Sequence, residues 1–480
     1  MNNFKILAKG LFAGVPLFSA SGRRSKTPSR DKQRLAGFEK QANELRARLK
    51  IPGMSAVIVK DQEVLWTKGF GYADLENRIP ATPDTVYHIA SLTKTFAATL
   101  LMQLVEQGKL DLDEPVSYYS SDFKDDSVKI KHLLSHTSEG TPGERYHYSG
   151  NRYDYLTAVI EKKSGKPFRE LIVEAFLDPL AMSSSVPGHD VVDDADKWAA
   201  LLGKENLNRY EKSLLRLSQP YTLFGDSEVI HVPYPPKDIN AAAGLLSTVL
   251  DMAQYDAAID RHVFLKKETQ EKAWTAFVSN SGQPLRHGLG WFVTDYHGIK
   301  LIWHYGHWGT GFSSIYLKVP EKNISLVMLA NSEALSDHQF QVDEDITNNV
   351  FACAFLRLFV LDDAQPYGCE RNSQTALRKW IEDRRAQARV AIQLDPGILE
   401  TYAGQYQFEM FPLILTVTKE DNRLVVDIPK DGKSELFAES ESTFFLKIRP
   451  LQMTFIKDKG QITHIEVAEY GETWHANKIK

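Results

Sequence analysis

Two groups of β-strand signals lie far apart in this sequence, and their separation constrains the fold more than any other feature. The first group is a hairpin, in which residues 54–60 and 64–71 flank a polar turn. The second group consists of four apolar segments with turns between them, at residues 288–294, 300–304, 311–317 and 324–330. A sheet must bury an apolar face against other elements. The two groups are therefore predicted to complete one antiparallel sheet with helices on its faces, in a mixed α/β (α+β) fold.

The long segment between the two groups has the pattern of helices and loops. An apolar helix is predicted over residues 96–105, and helices with polar loops follow from Gly108 to about Pro187, which indicates an all-helical subdomain. Residues 188–240 are polar, charged and interrupted by prolines. They are predicted to be insertions that lie over a cleft and shape access to it.

The C-terminal part has a different pattern. Residues 343–361 and 373–391 are predicted helices, and the second is highly charged, as suits a connector. Short strand signals with the spacing of a sandwich or barrel follow at residues 401–406, 413–417, 424–428, 444–448, 453–456 and 462–467. The predicted organisation is a targeting segment at 1–22, a main domain at 23–365, a helical connector at 366–393 and a small all-β barrel at 394–480.

Length, charge and cysteine content restrict the class of protein. A chain of 480 residues exceeds the size at which a single core stops growing, so two or more domains are expected. Its 57 basic and 62 acidic residues give a net charge of -5, which argues against nucleic acid as the main partner. The two cysteines cannot form a disulfide framework. Cys353 lies in an apolar helical run, which favours a buried thiol over a bridge to Cys369, although geometry decides the pairing.

The first residues have features of a targeting segment. Lys5 and Lys9 precede a short apolar run at residues 11–18 that ends near the small residue Ala20, as in a secretory signal. Basic residues directly after the run oppose its translocation, and the absence of acids before Asp31 also fits an organelle transit peptide. We expect export to the periplasm or out of the cell, with a cytoplasmic or organellar location as the alternative. No later stretch has the ~20 uninterrupted apolar residues of a membrane span.

Ser91 and Lys94 stand where an extended segment meets the predicted apolar helix. The same spacing occurs at Ser29/Lys32 and Ser121/Lys124, but only at Ser91 does it lead into a helix too apolar to lie on a surface. A lysine buried in such a helix needs a hydrogen-bonding or charged partner, or has a chemical function. One turn away, its amine can reach the hydroxyl and take its proton, which is the chemistry of an activated serine. The alternative is a serine that only caps the helix.

Tyr148 is a candidate for moving a proton. It lies in a polar loop at residues 142–151. Its phenol could relay a proton if a nearby ammonium depressed its pKa. The alternative is a packing tyrosine whose hydroxyl finds one hydrogen-bond partner.

Residues 303–312 combine histidines with glycines at the end of a predicted strand. Glycine in a strand lets another backbone or a ligand come close. Backbone N–H groups near Gly306 could bind a developing oxyanion, with His304 alongside as a donor or titratable group. A metal pair of His304 and His307 is disfavoured because no clustered third ligand accompanies them. The sequence contains no phosphate-binding glycine loop, and we expect neither a metal nor a cofactor.

Three motifs together carry a family resemblance. Ser91-Leu92-Thr93-Lys94, Tyr148-Ser149-Gly150 and His304-Tyr305-Gly306 follow the order and spacing of the serine β-lactamase and penicillin-binding-protein superfamily. More narrowly, the chain resembles the class C β-lactamase-like family, which includes D-specific carboxypeptidases, D-aminopeptidases and esterases. Supporting stretches at residues 133–138, 244–248, 288–291 and 311–314 extend the resemblance over about residues 35–335. The last ninety residues resemble the small β-barrel appended to many members.

The resemblance implies a role for each matching residue. Ser91 would be the nucleophile, Lys94 its proton partner, and Tyr148 the base in acylation and in activating the deacylating water. The backbone N–H groups of Ser91 and about His307, beside Gly306, would form the oxyanion hole.

Two departures from the family pattern affect substrate binding. The second motif usually ends in Asn, but Gly150 stands there and Asn151 follows, which puts a contact to a substrate amide in doubt. His304 replaces the lysine of classical β-lactamases, and the loss of a fixed cation weakens recognition of a substrate carboxylate because His is mostly neutral at pH 7. Antibiotic hydrolysis is therefore less expected than ester or peptide cleavage.

The resemblance thus implies a serine hydrolase with an acyl-enzyme intermediate on Ser91. It would cleave small carboxylic esters or D-amino-acid-containing peptides and amides. One alternative is a β-lactamase or D,D-carboxypeptidase, and another, from a different class, is a catalytically idle binding or assembly protein. We expect activity to rise with pH through a depressed phenol or amine pKa. The partner would be a small-molecule or peptide substrate, and the oligomeric state is left open.

Overall fold

The computed structural model of the protein describes residues 29–338, 344–361, 368–410, 412–429, 432–469 and 472–480. The predicted targeting segment at residues 1–22 lies outside these ranges. No helix within them is both long and apolar enough to cross a membrane.

The strands are numbered along the chain. The first twelve are β1 (Gly53–Lys60), β2 (Glu63–Asp74), β3 (Ile79–Pro80), β4 (Tyr87–His88), β5 (Val186–Pro187), β6 (Tyr221–Phe224), β7 (Glu228–His231), β8 (Leu245–Ser247), β9 (Phe292–Tyr296), β10 (Ile299–Trp308), β11 (Phe312–Val319) and β12 (Ile324–Ala330). The C-terminal strands are β13 (Gly404–Phe408), β14 (Ile414–Glu420), β15 (Arg423–Ile428), β16 (Gly432–Ala438), β17 (Thr443–Phe445), β18 (Gln452–Asp458), β19 (Gln461–Glu469) and β20 (Glu472–Lys478).

The α-helices are numbered in the same way. They are α1 (Ser29–Arg48), α2 (Thr93–Glu106), α3 (Ile130–Leu134), α4 (Gly150–Asp154), α5 (Leu156–Ser164), α6 (Phe168–Ile172), α7 (Ala195–Leu202), α8 (Lys204–Leu214), α9 (Val249–Asp260), α10 (Lys267–Ala273), α11 (Ala334–Asp337), α12 (Val350–Phe355), α13 (Gly368–Gln387) and α14 (Pro396–Leu399).

One seven-stranded antiparallel sheet joins strands from the two distant groups, as predicted. Its order is β3-β2-β1-β12-β11-β10-β9, and β1 pairs with β12 in a register that places Val57 opposite Val327. The central strands β1, β11 and β12 are buried almost throughout, because apolar side chains occupy both of their faces. Helix α9 packs on β1 and β12. The prediction of a mixed fold with helices on one antiparallel sheet is confirmed.

A small three-stranded sheet positions the segment that carries Ser91. Its order is β4-β8-β5, and Tyr87 lies opposite Ser247. Strand β4 ends at His88, three residues before Ser91, and α2 follows Ser91 as a helix that is buried on almost every side. The segment between α2 and β5 is helical, as predicted, and contains α3 to α6.

The described chain forms two compact units. The first contains residues up to Pro220 and from Lys237 to Trp380, and the second contains Tyr221–Pro236 and Ile381–Lys480. The predicted insertion at residues 188–240 therefore divides between them, because the hairpin of β6 and β7 belongs to the second unit. The division in the C-terminal half falls inside the continuous helix α13. The predicted boundaries at residues 365 and 393 stay predictions.

The second unit contains a closed eight-stranded barrel, β13 to β20, which confirms the predicted small all-β barrel. Its interior is filled by apolar side chains, which include Tyr406, Val426 and Phe455. Two strands, β16 and β20, have no counterpart in the prediction.

The prediction of a free buried thiol at Cys353 is wrong. Cys353 in α12 and Cys369 in the first turn of α13 form a disulfide, with their Cα atoms 5.7 Å apart. Both residues are buried. The prediction failed because α13 begins at Gly368, five residues before the predicted start, so its first turn brings Cys369 back to α12.

Candidate active site

Ser91 lies in a tight turn that is held by its neighbours. A 3-10 turn at Ala90–Leu92 leads directly into α2. Ala90 has a φ of +49°, in the left-handed region that costs a non-glycine residue about 1–2 kcal/mol. Its N–H donates to His88 Nδ1 at 3.0 Å, and its carbonyl accepts from Thr93 Oγ1 at 2.8 Å. These two bonds hold a strained peptide immediately before the candidate nucleophile.

Lys94 follows one turn later and is hydrogen-bonded to Ser91. Its Nζ donates to Ser91 Oγ at 2.9 Å and to the carbonyl oxygen of Ala242 at 2.9 Å. The lysine is 1% exposed. Burial lowers the pKa of Lys94 to about 7, although the Asp154 carboxylate opposes the shift. A substantial fraction of the amine is therefore unprotonated at neutral pH, and a neutral amine can accept the proton of the serine hydroxyl.

Tyr148 completes the group around Ser91, but its pKa shifts opposite to expectation. Lys94 Nζ lies 5.2 Å from the centroid of its ring. The ring is partly exposed, whereas the hydroxyl is buried and has no partner within hydrogen-bond distance among the described residues. Burial raises the pKa of Tyr148, while the nearby Ser91 hydroxyl opposes the rise and Glu344 adds to it. Of the depressed phenol or amine pKa expected from the sequence, the structure gives that of the amine and not that of the phenol, because burial favours the neutral form of each group.

The edge of β10 lies against the Ser91 turn. Strand β9 pairs with β10 only as far as Trp303, and no strand of the described chain pairs with that edge beyond it. A Cβ at Gly306 would come within 2.2 Å of the Ile89 carbonyl oxygen, so only glycine permits this approach. Ser314 Oγ also donates to that oxygen, at 2.8 Å. The structure therefore brings the predicted third motif to the candidate nucleophile.

His304 is fully buried on β10. Its Nδ1 lies 2.7 Å from the Tyr305 carbonyl oxygen, and its ring centroid is 6.4 Å from that of Tyr148. Burial, reinforced by His287 and Lys94, holds the pKa of His304 well below its usual value of 6.5. The ring is therefore neutral at physiological pH, in agreement with the absence of a fixed cation inferred from the sequence.

Two further histidines line the site and were not among the predicted site residues. The His136 ring stacks on Tyr148 with centroids 4.2 Å apart, and its Nδ1 accepts from the Ser149 N–H at 3.3 Å. His136 therefore fixes the loop that carries Tyr148. The His287 ring meets that of His136 edge-on at 4.9 Å, and burial lowers the pKa of His287 to about 3. The motif at residues 133–138 contained a signal for His136, whereas nothing in the sequence distinguished His287.

Glu344 is the third residue that the sequence did not reveal. Its carboxylate accepts hydrogen bonds from Tyr146 Oη at 2.9 Å and from Tyr305 Oη. The Tyr305 ring lies 5.5 Å from that of Tyr148. Arg286 Nη1 donates to the main-chain oxygen of Glu344 at 3.1 Å. A carboxylate and a guanidinium thus lie behind the tyrosines of the site.

Two predicted site residues lie apart from the central group. Asn151 is exposed on α4, and the structure shows no contact between it and Ser91 or Lys94 within the described chain. His307 is partly exposed on β10, with its Nε2 3.9 Å from Asp337 Oδ1. Its place three residues after His304 and next to Gly306 keeps its backbone at the predicted edge. Their roles stay predictions.

No metal-binding group is found around Ser91 in the part of the chain that the structure describes. The one group of three metal-binding side chains found there lies on the outer face of the barrel, in the second unit. His464 and Glu466 on β19 and His475 on β20 have donor atoms within 4.8 Å of one another. These side chains are partly or fully exposed.

Comparison with protein families gives two matches. A model described as Beta-lactamase matches residues 38–345, which include Ser91, Tyr148 and His304. A model described as a domain of unknown function, DUF3471, matches residues 388–477, which contain the barrel. The first match covers more than half of the 480 residues.

Two bacterial relatives illustrate the similarity in sequence. A penicillin-binding protein of Bacillus subtilis is 23% identical over 431 residues, which are 82% of this chain and 87% of that protein. The protein flp of Staphylococcus aureus is 26% identical over 321 residues, and the match covers 58% of this chain and 60% of that relative.

Two solved structures share the fold. An octameric penicillin-binding protein homologue from Pyrococcus abyssi has a TM-score of 0.57 at 23% identity, and the match covers 92% of this chain and all of that one. A penicillin-binding protein from Bacillus halodurans has a TM-score of 0.50 at 22% identity, covering 61% of this chain and 96% of that one.

Proposed function

The chain belongs to the beta-lactamase family of serine hydrolases and penicillin-binding-protein relatives, and we propose that it forms an acyl-enzyme on Ser91. The observation that carries the proposal is the 2.9 Å hydrogen bond between Lys94 Nζ and Ser91 Oγ, made by a buried amine whose pKa is lowered to about 7. A purely structural serine cap would not need a desolvated lysine at this place.

In the proposed mechanism, Ser91 Oγ attacks the substrate carbonyl while neutral Lys94 takes the hydroxyl proton. The developing oxyanion would be bound by the backbone N–H groups of Ser91 and His307. The leaving group departs with a proton returned through Lys94. A water molecule then attacks the ester carbonyl and frees Ser91. These assignments combine the family resemblance with the geometry of the site.

We assign Tyr148 a different part from the one that the sequence predicted. Because its raised pKa keeps the phenol protonated at neutral pH, it is not available as a base, but its hydroxyl can donate a hydrogen bond. Its buried hydroxyl can donate to the departing group or relay a proton between that group and Lys94. The aromatic rings around it, including His136, hold it in position.

For substrates we propose small carboxylic esters or peptides and amides that contain D-amino acids. The neutral His304 supports this choice, because it supplies no positive charge for the carboxylate of a β-lactam or a peptide C-terminus. Esters are the first class to test, since their good leaving groups make acylation easy to detect.

The experiment is the pre-steady-state release of p-nitrophenol from a p-nitrophenyl ester by the wild-type protein and Ser91→Ala. We expect a burst equal to the enzyme concentration in the wild type and none in the variant. Ser121→Ala is the matched control, since Ser121 has the same spacing to a lysine but lies in an exposed turn. A burst that survives in Ser91→Ala would reject the proposal.

A second candidate is suggested by the name of the Bacillus subtilis relative, which is a penicillin-binding protein. Under this alternative the protein has β-lactamase or D,D-carboxypeptidase activity at Ser91. Intact-mass measurement after incubation with benzylpenicillin would then show a covalent adduct that is absent from Ser91→Ala. An adduct formed faster than acylation by the ester would favour this candidate over the first.

We also propose that the protein is exported, on the basis of the charged and apolar pattern of residues 1–22. N-terminal sequencing of the mature protein from its own host should find a start near residue 21 to 23. An intact N-terminus in the cytoplasmic fraction would contradict export.

A further inference from the structure

We propose that His304 presents a hydrogen-bond acceptor to the substrate, so that the site selects an N–H or O–H donor beside the scissile bond and discriminates against a carboxylate there. This inference rests on the proposed acylation of Ser91. It concerns the chemical class of substrate, and it reverses the polarity that a lysine would give the same position.

The hydrogen bond of the ring determines which nitrogen carries the proton. His304 Nδ1 lies 2.7 Å from the Tyr305 carbonyl oxygen, and a carbonyl oxygen can only accept. Nδ1 must therefore be the protonated nitrogen. In a neutral ring the other nitrogen, Nε2, then carries a lone pair. Because the side chain is fully buried and the pKa of His304 is held well below 6.5, the neutral form prevails at working pH.

The lone pair of Nε2 is buried and has no partner among the described residues. A buried acceptor without a partner costs about 1–3 kcal/mol, which a donor from the substrate would recover. The His304 ring lies next to that of Tyr148 and within electrostatic range of Lys94. His304 also precedes Gly306 by two residues on β10, and Gly306 contacts the turn that carries Ser91. A substrate held at Ser91 therefore lies close to this acceptor.

The charged groups around the ring do not restore a site for an anion. Lys94 has a pKa of about 7 and is proposed to work as a neutral amine. The Glu344 carboxylate lies behind Tyr305 and adds negative charge, which Arg286 offsets in part from the main-chain side. The neighbouring rings of His136 and His287 are also neutral, because burial lowers the pKa of each. A substrate carboxylate would therefore face a lone pair without a fixed compensating cation.

The test uses esters that differ in one meta substituent, which is a carboxamide, a methyl ester or a carboxylate. In one set, p-nitrophenyl esters carry the substituent on a benzoyl acyl group, and in the other, benzoylglycyl esters carry it on a phenol leaving group. The two sets together cover both sides of the scissile bond. Each comparison is made within one enzyme preparation, so differences in the fraction of active protein cancel.

For the wild type we expect kcat/KM to fall in the order carboxamide, methyl ester, carboxylate in at least one set, with at least tenfold between the first and the last. His304→Lys should reverse the order in that set, because it replaces a lone pair with a cation. His304→Ala should abolish the preference. His464→Lys, which makes the same change on the outer face of the barrel, should keep the wild-type order.

Three outcomes would count against the inference. Equal kcat/KM for the carboxylate and the carboxamide in both sets would overturn it even if His304→Lys failed to fold. An unchanged order in a folded His304→Lys would overturn it as well. Absence of hydrolysis of every ester by the wild type would instead reject the proposed function, and the inference with it. The first two outcomes leave acylation of Ser91 intact, so the two failures can be distinguished.

Discussion

Two lysines are buried in the first unit, and their surroundings differ in one decisive respect. Lys318 on β11 is 1% exposed and contacts Asp256 Oδ1 and Asp260 Oδ1, each at 2.8 Å. Lys94 on α2 is equally buried, but its Nζ contacts a hydroxyl and a carbonyl oxygen. Burial tends to lower the pKa of both amines. For Lys318 the two carboxylates overcome that tendency and raise the pKa, whereas for Lys94 it prevails.

The difference agrees with a structural role for Lys318 and with the chemical role that we propose for Lys94. The two carboxylates neutralise the charge of Lys318. Lys318 Nζ also donates to Ser325 Oγ at 3.0 Å, and Tyr316 Oη donates to Asp256 Oδ1 at 2.6 Å. Such a network orders the sheet and the helix behind it. Around Lys94, by contrast, the strained turn before Ser91 and the buried polar atoms of the site cost stability. Sites that perform chemistry commonly retain such costs.

The largest expected effect comes from Lys94→Met. Loss of the amine removes the proton acceptor for Ser91, so the acylation rate should fall by about 10³-fold, which corresponds to roughly 4 kcal/mol in the barrier. Thermal unfolding should occur at the same or a higher temperature, because a desolvated amine is removed. Stopped-flow acylation and calorimetry measure the two quantities. A variant that is less stable and still acylates rapidly would make Lys94 structural, like Lys318.

Lys318→Met should have the opposite pattern. It leaves Asp256 and part of Asp260 buried without a cation, which should lower the free energy of unfolding by about 3 kcal/mol. This is the lower end of the usual range, because Asp260 is 16% exposed and can be hydrated. The folded variant should acylate within a few-fold of the wild type. Denaturant unfolding checks stability, and a burst titrated per folded molecule checks activity. A stable variant would show that the network contributes little.

The two lysines should also give opposite dependences of stability on pH. The unfolded chain holds a proton on Lys94 up to its ordinary pKa of 10.5, whereas the folded state releases it near 7. The unfolded state binds more protons between these values, so this lysine makes the free energy of unfolding rise with pH there, by at most about 1.4 kcal/mol per pH unit. For Lys318 the folded pKa is the higher one, so its contribution is present below pH 10.5 and is lost as pH rises through the raised value.

This contrast is measured as the difference in unfolding free energy between the wild type and Lys94→Met. From pH 7.5 to 9.5 the difference should change by about 2 kcal/mol in favour of the wild type. The difference between the wild type and Lys318→Met should stay constant over the same interval. A constant difference for both variants would mean that Lys94 is not depressed in the folded state.

The smallest expected effect concerns the strain beside Ser91. Ala90→Gly removes the penalty of a positive φ but increases the entropy of the unfolded chain, so the net stabilisation should be about 0.5 kcal/mol. Ala97→Gly, a buried helical position in α2, is the matched control and should destabilise the protein by about 1 kcal/mol. Denaturant unfolding of the two variants gives the comparison. Equal destabilisation of the two variants would show that the backbone at Ala90 is not strained.

The sequence revealed much of the sheet and less of the barrel, for physical reasons. Strands β1, β11 and β12 are buried on both faces and are therefore mostly apolar. In β16 and β20 only alternate positions face the interior, and Ala438 and Ala476 are among them. Charged and polar residues fill most of the other positions in these strands, so neither hydrophobicity nor strand propensity identified them. The first turn of α13 was missed for a related reason, since its residues are mostly polar.

The candidate site likewise contains residues that the sequence revealed and residues that it did not. Ser91, Lys94, Tyr148 and His304 stand in ordered motifs, and the structure brings all four together. Ala242 contributes only a carbonyl oxygen, which any residue could supply. Glu344 reaches the site through two tyrosines from a distant segment. Contacts of this kind depend on tertiary structure and leave no local pattern. The shift of the Tyr148 pKa was missed because burial of its hydroxyl cannot be inferred from a loop sequence.

We propose that neutral Lys94 is the base that activates Ser91, and the pH dependence of the acylation rate tests this role. The rate constant of the p-nitrophenol burst is measured from pH 5.5 to 9.5 in the wild type and in Tyr148→Phe. Because the free amine is the active form, the rate should rise with pH around a midpoint near 7 and level off above about 8.5. Tyr148→Phe should be slower but keep the same midpoint. A midpoint near 7 that vanishes in Tyr148→Phe, or a rate that rises only above pH 9, would contradict Lys94 as the base.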